Sequence, residues 1–364
     1  MKRMLFIWYK RPNAIPEGGG QCSLRNYNAM CRLLESGHVD SLYIHDDDRK
    51  RPLSAYLRFL LYMPAGYYFG LYPKRVKQIV GQAMCYDYVF IDRSVFGILA
   101  KRLKEAGYKG RIITHFHNVE TVYFDARLPK VMPLRRLFMR CVDANDRYAC
   151  RYADTILTLN QRDENLLRTK YQLQQSIQIP IALADKYNGE ADTAATIHKQ
   201  PHCLFIGSYF PANTEGIIWF VHNVLSKADL QLTIVGKGMD RLRQEIPSSL
   251  SVCIESDVPN LAPFIEAADI VVLPIFSGSG MKVKTCEALM YGKNIVGTTE
   301  AFEGYAVDYD RIGGLCNTAE EFLQTISRLA KDAFPRFNAY SRQMYLDHYS
   351  DQAVAEQFRQ VLAR

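Results

Sequence analysis

The feature that most constrains the fold is a repeated alternation of short apolar runs with helical patterns. Each apolar run is followed by residues with helical periodicity, which is typical of parallel α/β units. In the first half of the chain the predicted strands are Met4–Tyr9, Ser41–His45, Tyr88–Asp92, Arg111–His115, Thr155–Leu159 and Ile177–Ile179. This order predicts a doubly wound sheet.

The alternation restarts after a polar stretch without periodicity, ALADKYNGEADTAATIHKQP, near 182–201. Strand-like runs HCLFIGS, LQLTIVGKG, LSVCIES, DIVVLPIF and KNIVGTT then alternate with helical segments. We predict an α/β fold of two Rossmann-like doubly wound domains facing a cleft, where ligands bind at the carboxyl ends of strands. The expected boundaries are a first domain at 1–182, a linker at 183–200 and a second domain at 201–337. The C-terminal helix at 338–364 is expected to pack back on the first domain.

Charge and cysteine content limit the class of function. The 364 residues carry a net charge of +7, which fits an anionic small ligand or an anionic membrane surface. No motif for binding nucleic acid is present, and we expect no such partner. The nine cysteines show neither paired zinc spacing nor a disulfide framework, so we expect a cytoplasmic protein without a metal site.

Two apolar segments bear on membrane contact. The start, MKRMLFIWYKRP, has too short an apolar run for a signal peptide and predicts a first strand. The segment from Arg51 to Arg75 approaches spanning length, but Arg58, Pro64 and two glycines interrupt it. It predicts an interrupted amphipathic helix and loop. Interior packing and an acceptor-side or membrane-surface patch both remain open for this segment.

The stretch SGSGMKVKTCEALMYG, which begins at Ser277, follows a predicted buried strand and opens a helix near Met281. Its small residues allow close approach to the backbone, and unpaired N–H groups at a helix start attract anions. Lys282 and Lys284 oppose the helix dipole in the first turn, so a bound anion would stabilise them. The spacing alone also fits a surface ion pair between Lys284 and Glu287.

The segment PIFSGSGMKVKTCEALMYGKNIVGTTEAFEG resembles the donor-binding segment of family-4-like glycosyltransferases with the GT-B fold (glycosyl transferases group 1). FIGSYFPANTEGIIWF, LTIVGKG and SDVPNLAPFIEAADIVVLP resemble the preceding units of the same nucleotide-binding domain. EGGGQCSLRNYNAM, HFHNVETVYF and ADTILTLNQRDENLL resemble the acceptor domain. The resemblance covers most of the chain and is strongest from 201 to 304.

The resemblance implies transfer of a sugar from a UDP- or GDP-linked donor to an acceptor hydroxyl. It further implies retention of configuration, no metal and no cofactor. A glycan or lipid-linked acceptor in polysaccharide biosynthesis, and peripheral association with the inner face of the membrane, are expected from the aromatic segment and the basic balance. The implied donor-binding residues are Gly19, Gly20, Gly207, Ser208, Ser279, Gly280, Met281, Lys282, Lys284 and Glu287.

Within that set, Lys284 matches the family's phosphate-binding lysine and Glu287 its ribose-binding glutamate. Ser279 stands where many members carry a second glutamate, which leaves the sugar undefined. The Arg/Lys pair common after the first donor-domain strand is missing from GSYFPANTEG, so Lys282 and Lys284 are the main candidates for neutralising the phosphates.

In the first domain, Gly18–Gly20 predict either a close-approach loop for the diphosphate or a plain tight turn. His117 is the candidate catalytic residue, in contact with the sugar or the acceptor, with Asn118 and Glu120 on the same side. A structural histidine is the alternative for His117. His115 is expected to point into the domain. The acidic HDDDRKR run at 45–51 predicts a solvated turn without a metal.

Two other functions remain open. A GT-B nucleotide-sugar epimerase and a non-catalytic nucleotide-sugar-binding subunit would share the same donor residues. A dinucleotide-dependent dehydrogenase is disfavoured, because no Gly-x-Gly-x-x-Gly follows either domain's first strand.

Overall fold

The alternating apolar runs form two parallel sheets of six strands each. A computed structural model describes residues 2–12, 18–45, 51–189, 195–246 and 250–363. The chain divides into two compact units, of which unit 1 comprises Met1–Pro180 with Val354–Arg364 and unit 2 comprises Ile181–Ala353. The predicted α/β fold with two doubly wound sheets is confirmed.

Unit 1 has the strand order β2-β1-β3-β4-β5-β6, and all its paired neighbours are parallel. The strands are β1 Met4–Lys10, β2 Val39–His45, β3 Tyr88–Ile91, β4 Arg111–Phe116, β5 Thr155–Thr158 and β6 Ile177–Gln178. The helices are α1 Gly18–Leu34, α2 Leu53–Tyr62, α3 Pro73–Ala83, α4 Gly97–Glu105, α5 Glu120–Arg127, α6 Arg135–Tyr152 and α7 Gln161–Tyr171. Central strands are buried on both faces, as parallel sheets require, and Phe6 stacks on Phe90 across β1 and β3.

Unit 2 has the strand order β12-β11-β10-β7-β8-β9, again with parallel pairs. The strands are β7 His202–Ile206, β8 Gln231–Gly236, β9 Val252–Ser256, β10 Ile270–Leu273, β11 Asn294–Gly297 and β12 Gly313–Leu315. The helices are α8 Pro211–Asn223, α9 Ala262–Ala267, α10 Val283–Met290, α11 Tyr309–Ile312, α12 Ala319–Lys331 and α13 Ala339–Met344. The sequence did not predict β12, because Gly313, Gly314 and Leu315 lack a β-forming pattern.

The structure differs from the expected boundaries at the chain's helical tail. α13 lies in unit 2, and so does the following π-helical turn, where the Tyr345 hydroxyl donates to the Leu183 carbonyl at 2.8 Å. Only the last helix, α14 Asp351–Ala363, reaches unit 1, to which its residues from Val354 onward belong. There Arg111 donates to the Val361 carbonyl at 2.6 Å.

The expected linker also differs from the structure. Its described part belongs to unit 2, where Leu183 bridges Ser350 and Thr196 bridges Pro335. These backbone pairings hold the polar stretch on the surface of the unit. Residues 190–194 of this stretch, and residues 46–50 of the predicted acidic turn, lie outside the described residues.

The segment from Arg51 to Arg75 forms α2, a short 3-10 turn, a loop and the start of α3. Tyr67, Tyr68 and Leu71 of the loop are buried in the core of unit 1, whereas α2 has no buried residue. No helix in the described part of the chain is both long and apolar enough to span a bilayer.

Candidate functional site

The candidate donor site of unit 2 lies where two neighbouring strands end. Gly207 directly follows β7, and β10 is followed by a loop that leads into α10. Because β7 and β10 pair in parallel, their carboxyl ends meet at the same edge of the sheet. Gly216 of α8 packs so tightly on this edge that a Cβ there would lie 1.8 Å from the Pro274 carbonyl oxygen.

Lys284 lies in the first turn of α10, close to the backbone at Gly207. A Cβ added at Gly207 would lie 3.1 Å from Lys284 Nζ and 3.0 Å from the Asn213 amide. Lys284 Nζ donates to Asn213 Oδ1 at 2.5 Å and lies 4.8 Å from the centroid of the Phe205 ring. The ammonium is therefore held at the strand ends beside a glycine backbone that leaves room for a ligand.

Burial, more than the mutual attraction of Lys284 and Glu287, sets the pKa of both side chains. Burial lowers the pKa of Lys284 to about 7, with Glu287 opposing the shift and Lys282 adding to it. Burial raises the pKa of Glu287 to about 7, with Lys186 and Lys284 opposing. The two side chains do not form an ion pair in the described structure, so the alternative of a simple surface pair is not what the geometry shows.

Lys282 has a different environment from Lys284. It lies at the N-cap of α10, which begins at Val283 and not near Met281 as expected. Its Nζ donates to the Gly280 carbonyl at 2.9 Å and to Glu300 Oε1 at 2.6 Å. The ion pair is mostly buried and accounts for the Lys282 charge without a phosphate.

The loop before α10 carries the remaining predicted residues of this segment. Gly280 has a φ of +63°, in the left-handed region that favours glycine. Met281 is buried, and its sulfur accepts from the Ile181 N–H at 3.4 Å, whereas Ser279 is partly exposed. The Tyr305 hydroxyl donates to the Lys282 carbonyl at 2.7 Å, which fixes the loop where α10 begins.

Sequence reasoning missed Asn213 at this site. Its Nδ2 donates to the Ser208 carbonyl at 2.8 Å while its Oδ1 accepts from Lys284, so it ties the loop after β7 to α10. Ser208 itself is exposed. Asn213 lies within the PANTEG segment, where the Arg/Lys pair common in family-4-like glycosyltransferases is missing. That missing pair was the only sequence feature that could have drawn attention to Asn213.

Unit 1 also gathers polar side chains at strand ends, but encloses them. Asp92 follows β3 and His117 follows the adjacent β4, and His117 Nε2 lies 3.3 Å from Asp92 Oδ1. Asn26 of α1 donates to the same oxygen at 3.0 Å and to His115 Nδ1 at 2.7 Å. His115 and His117 are both buried, so the predicted inward orientation of His115 is confirmed.

His117 keeps one unpaired nitrogen. Because Nε2–H donates to Asp92, the lone pair lies on Nδ1, which has no partner among the described residues. Burial lowers the pKa of His117 and Asp92 opposes the shift, which favours the neutral imidazole. Such a group can accept a proton or a hydrogen bond.

The other predicted residues of unit 1 lie close by. Gly19 and Gly20 form the first turn of α1 and not a loop, and a Cβ at Gly19 would lie 2.6 Å from an Arg93 nitrogen. Asn118 is half-buried, whereas Glu120 begins α5 and is buried. Burial raises the pKa of Glu120 to about 7, opposed by Arg93, so Glu120 belongs to the interior of unit 1.

One group in the described structure offers metal-ligating atoms. Cys22, His115 and His117 are buried, and one donor atom of each lies within 4.8 Å of the others. Arg25 donates to the Cys22 sulfur at 3.2 Å, and the charges of Arg25 and Arg93 both lower the pKa of each imidazole. This positive field opposes a cation.

Part of the chain matches a known protein family. Residues 200–332 match the family model described as "Glycosyl transferases group 1". A Klebsiella pneumoniae protein, "Uncharacterized 44.6 kDa protein in cps region", is 25% identical over 156 residues, which cover 38% of this chain and only 40% of that relative.

Two solved structures share the fold over the whole chain. Sucrose-phosphate synthase from Thermosynechococcus elongatus has a TM-score of 0.72 at 15% identity and covers 100% of this chain and 98% of its own. HepE from Anabaena, in complex with UDP and glucose, has a TM-score of 0.66 at 12% identity and covers 100% of both chains. The second half of the chain thus matches the glycosyl transferases group 1 model at residues 200–332, and the whole chain has the GT-B fold of these two structures.

Proposed function

We propose that this protein is a glycosyltransferase, which moves a sugar from a nucleoside diphosphate sugar, linked to UDP or GDP, to an acceptor hydroxyl. The observation that carries the proposal is Lys284, an ammonium at a helix start without a carboxylate partner, whose pKa burial lowers to about 7. A bound diphosphate would supply the missing counter-charge. The Anabaena relative's structure holds UDP and glucose, which supports this donor class.

The chemistry breaks the bond between the anomeric carbon and the diphosphate while a bond to the acceptor oxygen forms, and the proton of the acceptor hydroxyl passes to the departing diphosphate. Negative charge grows on the leaving diphosphate, and Lys284 with the free N–H groups of the first turn of α10 would stabilise it. Glu287 makes no hydrogen bond through its carboxylate among the described residues and would accept those of the ribose hydroxyls. Because these groups supply the positive charge, we propose that no metal or cofactor takes part. We also propose that the configuration at the anomeric carbon is retained, as the resemblance to family-4-like glycosyltransferases implies.

The proposed acceptor is a hydroxyl of a polysaccharide or lipid-linked glycan. The Klebsiella pneumoniae relative is named for its place in a cps region, which supports polysaccharide synthesis. His117 is proposed to contact the sugar or the acceptor through Nδ1, and Asn118 to assist it. All nine thiols are free, which favours the cytoplasm as the compartment.

The experiment measures release of UDP or GDP from a panel of donor sugars with and without glycan acceptors. We expect release that depends on the acceptor, lost in Lys284→Met and kept in Lys227→Met, an exposed lysine of the same unit. Release without any acceptor, together with a change in the donor sugar's configuration, would instead support an epimerase. No release from any donor with any acceptor would contradict the proposed function.

A further inference from the structure

Helix α2 of unit 1 turns its apolar side chains to the solvent. Leu53, Leu57 and Leu61 are exposed by 73%, 59% and 69%, and Tyr56 and Leu60 by 49% and 43%. At 3.6 residues per turn these five side chains span an arc of about 140°. Ala55 and Phe59 lie on the opposite side of the helix, where Phe59 packs against the core of unit 1.

Such a pattern is the reverse of an ordinary surface helix, whose apolar face is the buried one. α2 has no buried residue at all, yet it is the most leucine-rich helix among those described. Isolated exposed leucines need no explanation, whereas a contiguous apolar face marks an interaction site.

A basic pocket lies beneath this face. It has a volume of about 310 Å³ and is lined by Arg51, Arg58, Arg75, His45 and the Phe69 ring, among others. Arg51 lies 4.4 Å from the centroid of Phe69, and Arg58 lies 4.6 Å from that of Tyr72. No carboxylate among the described residues pairs with Arg51 or Arg58.

The sequence around α2 also carries a net positive charge. Residues 46–86 contain seven basic and three acidic residues, a net charge of +4 out of +7 for the chain. Burial lowers the pKa of His45 to about 3, and the charges of Arg51 and Arg75 add to the shift. Apolar side chains flanked by cations are the composition of a helix that lies in a membrane interface.

We propose that α2 docks on an anionic phospholipid bilayer, with its leucine face inserted among the acyl chains and Arg51 and Arg58 bound to lipid phosphates. Charge complementarity selects this occupant: among the described residues Arg51 and Arg58 contact the His45 imidazole and aromatic rings but no carboxylate, and lipid phosphates would supply the opposite charge beside the leucines. The surface is formed within unit 1 alone, so docking is independent of sugar transfer.

The test is co-sedimentation of the full chain with phosphatidylcholine vesicles and with vesicles enriched in phosphatidylglycerol. We expect binding to the anionic vesicles only. Arg51→Glu and Arg58→Glu should each lower the partition coefficient about fivefold or more, because a cation near an anionic surface contributes about that factor. Leu57→Ser with Leu61→Ser should lower it at least tenfold, given the apolar area that is no longer inserted.

Two variants serve as matched controls. Leu346→Ser removes a leucine of unit 2 that is 41% exposed, and Arg151→Glu removes an exposed arginine that also lies over a tyrosine ring. Both should bind vesicles as the unaltered chain does. Equal binding by the Leu57/Leu61 variant, or no binding of the unaltered chain to anionic vesicles, would overturn the proposal. A dimer in solution that Leu57→Ser dissociates, without vesicle binding, would overturn it in favour of a second copy.

Discussion

Polar side chains gather at strand ends in both units, but the protein satisfies them to different degrees. In unit 1, Asp92 accepts from both Asn26 and His117, and the whole group is buried. In unit 2, Lys284 Nζ has one neutral hydrogen-bond partner, the Asn213 side chain. The Glu287 carboxylate has no hydrogen-bond partner among the described residues. The bonds to Asp92 Oδ1 hold the buried cluster together, although Asp92 Oδ2 and His117 Nδ1 have no partner among the described residues, whereas a partly buried charge that hydrogen-bonds no opposite charge gains from a ligand that supplies one. We therefore expect changes in unit 1 to lower stability first and changes in unit 2 to lower ligand binding first.

The largest expected effect tests the enclosed cluster of unit 1. Asp92→Leu leaves His117 Nε2–H without an acceptor and leaves Asn26 Nδ2 with His115 Nδ1 alone, and each lost bond to a buried group should cost about 1–3 kcal/mol. The free energy of unfolding, measured in urea, should fall by the sum of the two. Asp125→Leu removes an exposed aspartate paired with Arg135 and should cost at most about 1 kcal/mol. Equal losses in the two variants would show that the cluster does not stabilise unit 1.

A smaller effect tests the space beside Lys284. Gly207→Ala places a Cβ 3.1 Å from Lys284 Nζ, and the ammonium or a ligand must shift by a few tenths of an ångström. Nucleotide affinity should fall about tenfold, which corresponds to about 1.4 kcal/mol, while the thermal midpoint changes little. Gly81→Ala, whose Cβ meets nothing within 4 Å in α3, should leave affinity unchanged. Unaltered affinity in Gly207→Ala would show that the ligand lies elsewhere.

The next effect is a pH dependence that arises from the lowered pKa of Lys284. A phosphate binds the protonated ammonium, so nucleotide affinity should fall as the pH rises above about 7. Glu287 also has a pKa near 7, so the measurement is repeated in Glu287→Gln, where the fall should begin at a lower pH because the carboxylate no longer raises the pKa of Lys284. Adding Lys284→Arg should remove the fall above pH 7, since arginine keeps its charge. A fall that persists with arginine would assign it to another group.

The same shifts affect stability in the absence of ligand. Between pH 7 and the unfolded lysine pKa of 10.5, the unfolded chain binds a proton at Lys284 that the folded chain does not, so stability rises with pH. Between 4.5 and 7 the folded chain binds the extra proton at Glu287, so stability falls as the pH rises. The pair should therefore destabilise the free protein most near pH 7.

The smallest effect separates the two lysines of the segment. Lys282→Ala should lower nucleotide affinity only a few-fold, because its charge is already paired with Glu300, and the loss should come from a looser loop. Removing Glu300 as well should recover part of any loss in the thermal midpoint, as coupled neighbours do. A loss of affinity as large as that of a Lys284 variant would make Lys282 a direct phosphate ligand.

The sequence predicted every strand except β12, because each of the others is a short apolar run bounded by turn residues. It placed Lys284 and Glu287 correctly on one helix, because residues of the same helix are close together in the sequence. It could not predict that Asn213 would hold Lys284, because the two are 71 positions apart and meet only through the pairing of β7 with β10. For the same reason it did not predict that Lys282 donates to Glu300, 18 positions away, and the role of Lys282 as a phosphate ligand stays a prediction.

The local sequence pattern did not determine the structure at two places in unit 1. The glycines at 18–20 indicated a loop, yet they form the first turn of α1, where an Arg93 side chain lies against Gly19. For the segment that contains α2 the sequence left interior packing and a surface patch open, and only the structure shows that the leucines face outward while Phe59 faces the core. Periodicity identifies an apolar face but does not tell what covers it.

Calorimetric titration of UDP and GDP into the unaltered chain, Lys284→Met and Lys227→Met tests the central claim most directly. The claim is that Lys284, which hydrogen-bonds no carboxylate among the described residues, binds the diphosphate of the donor. We predict that at least one nucleotide binds the unaltered chain and Lys227→Met equally, and that binding is lost in Lys284→Met although its thermal midpoint is equal or higher. Binding that survives Lys284→Met at full strength, or no binding of either nucleotide to the unaltered chain, would contradict the account.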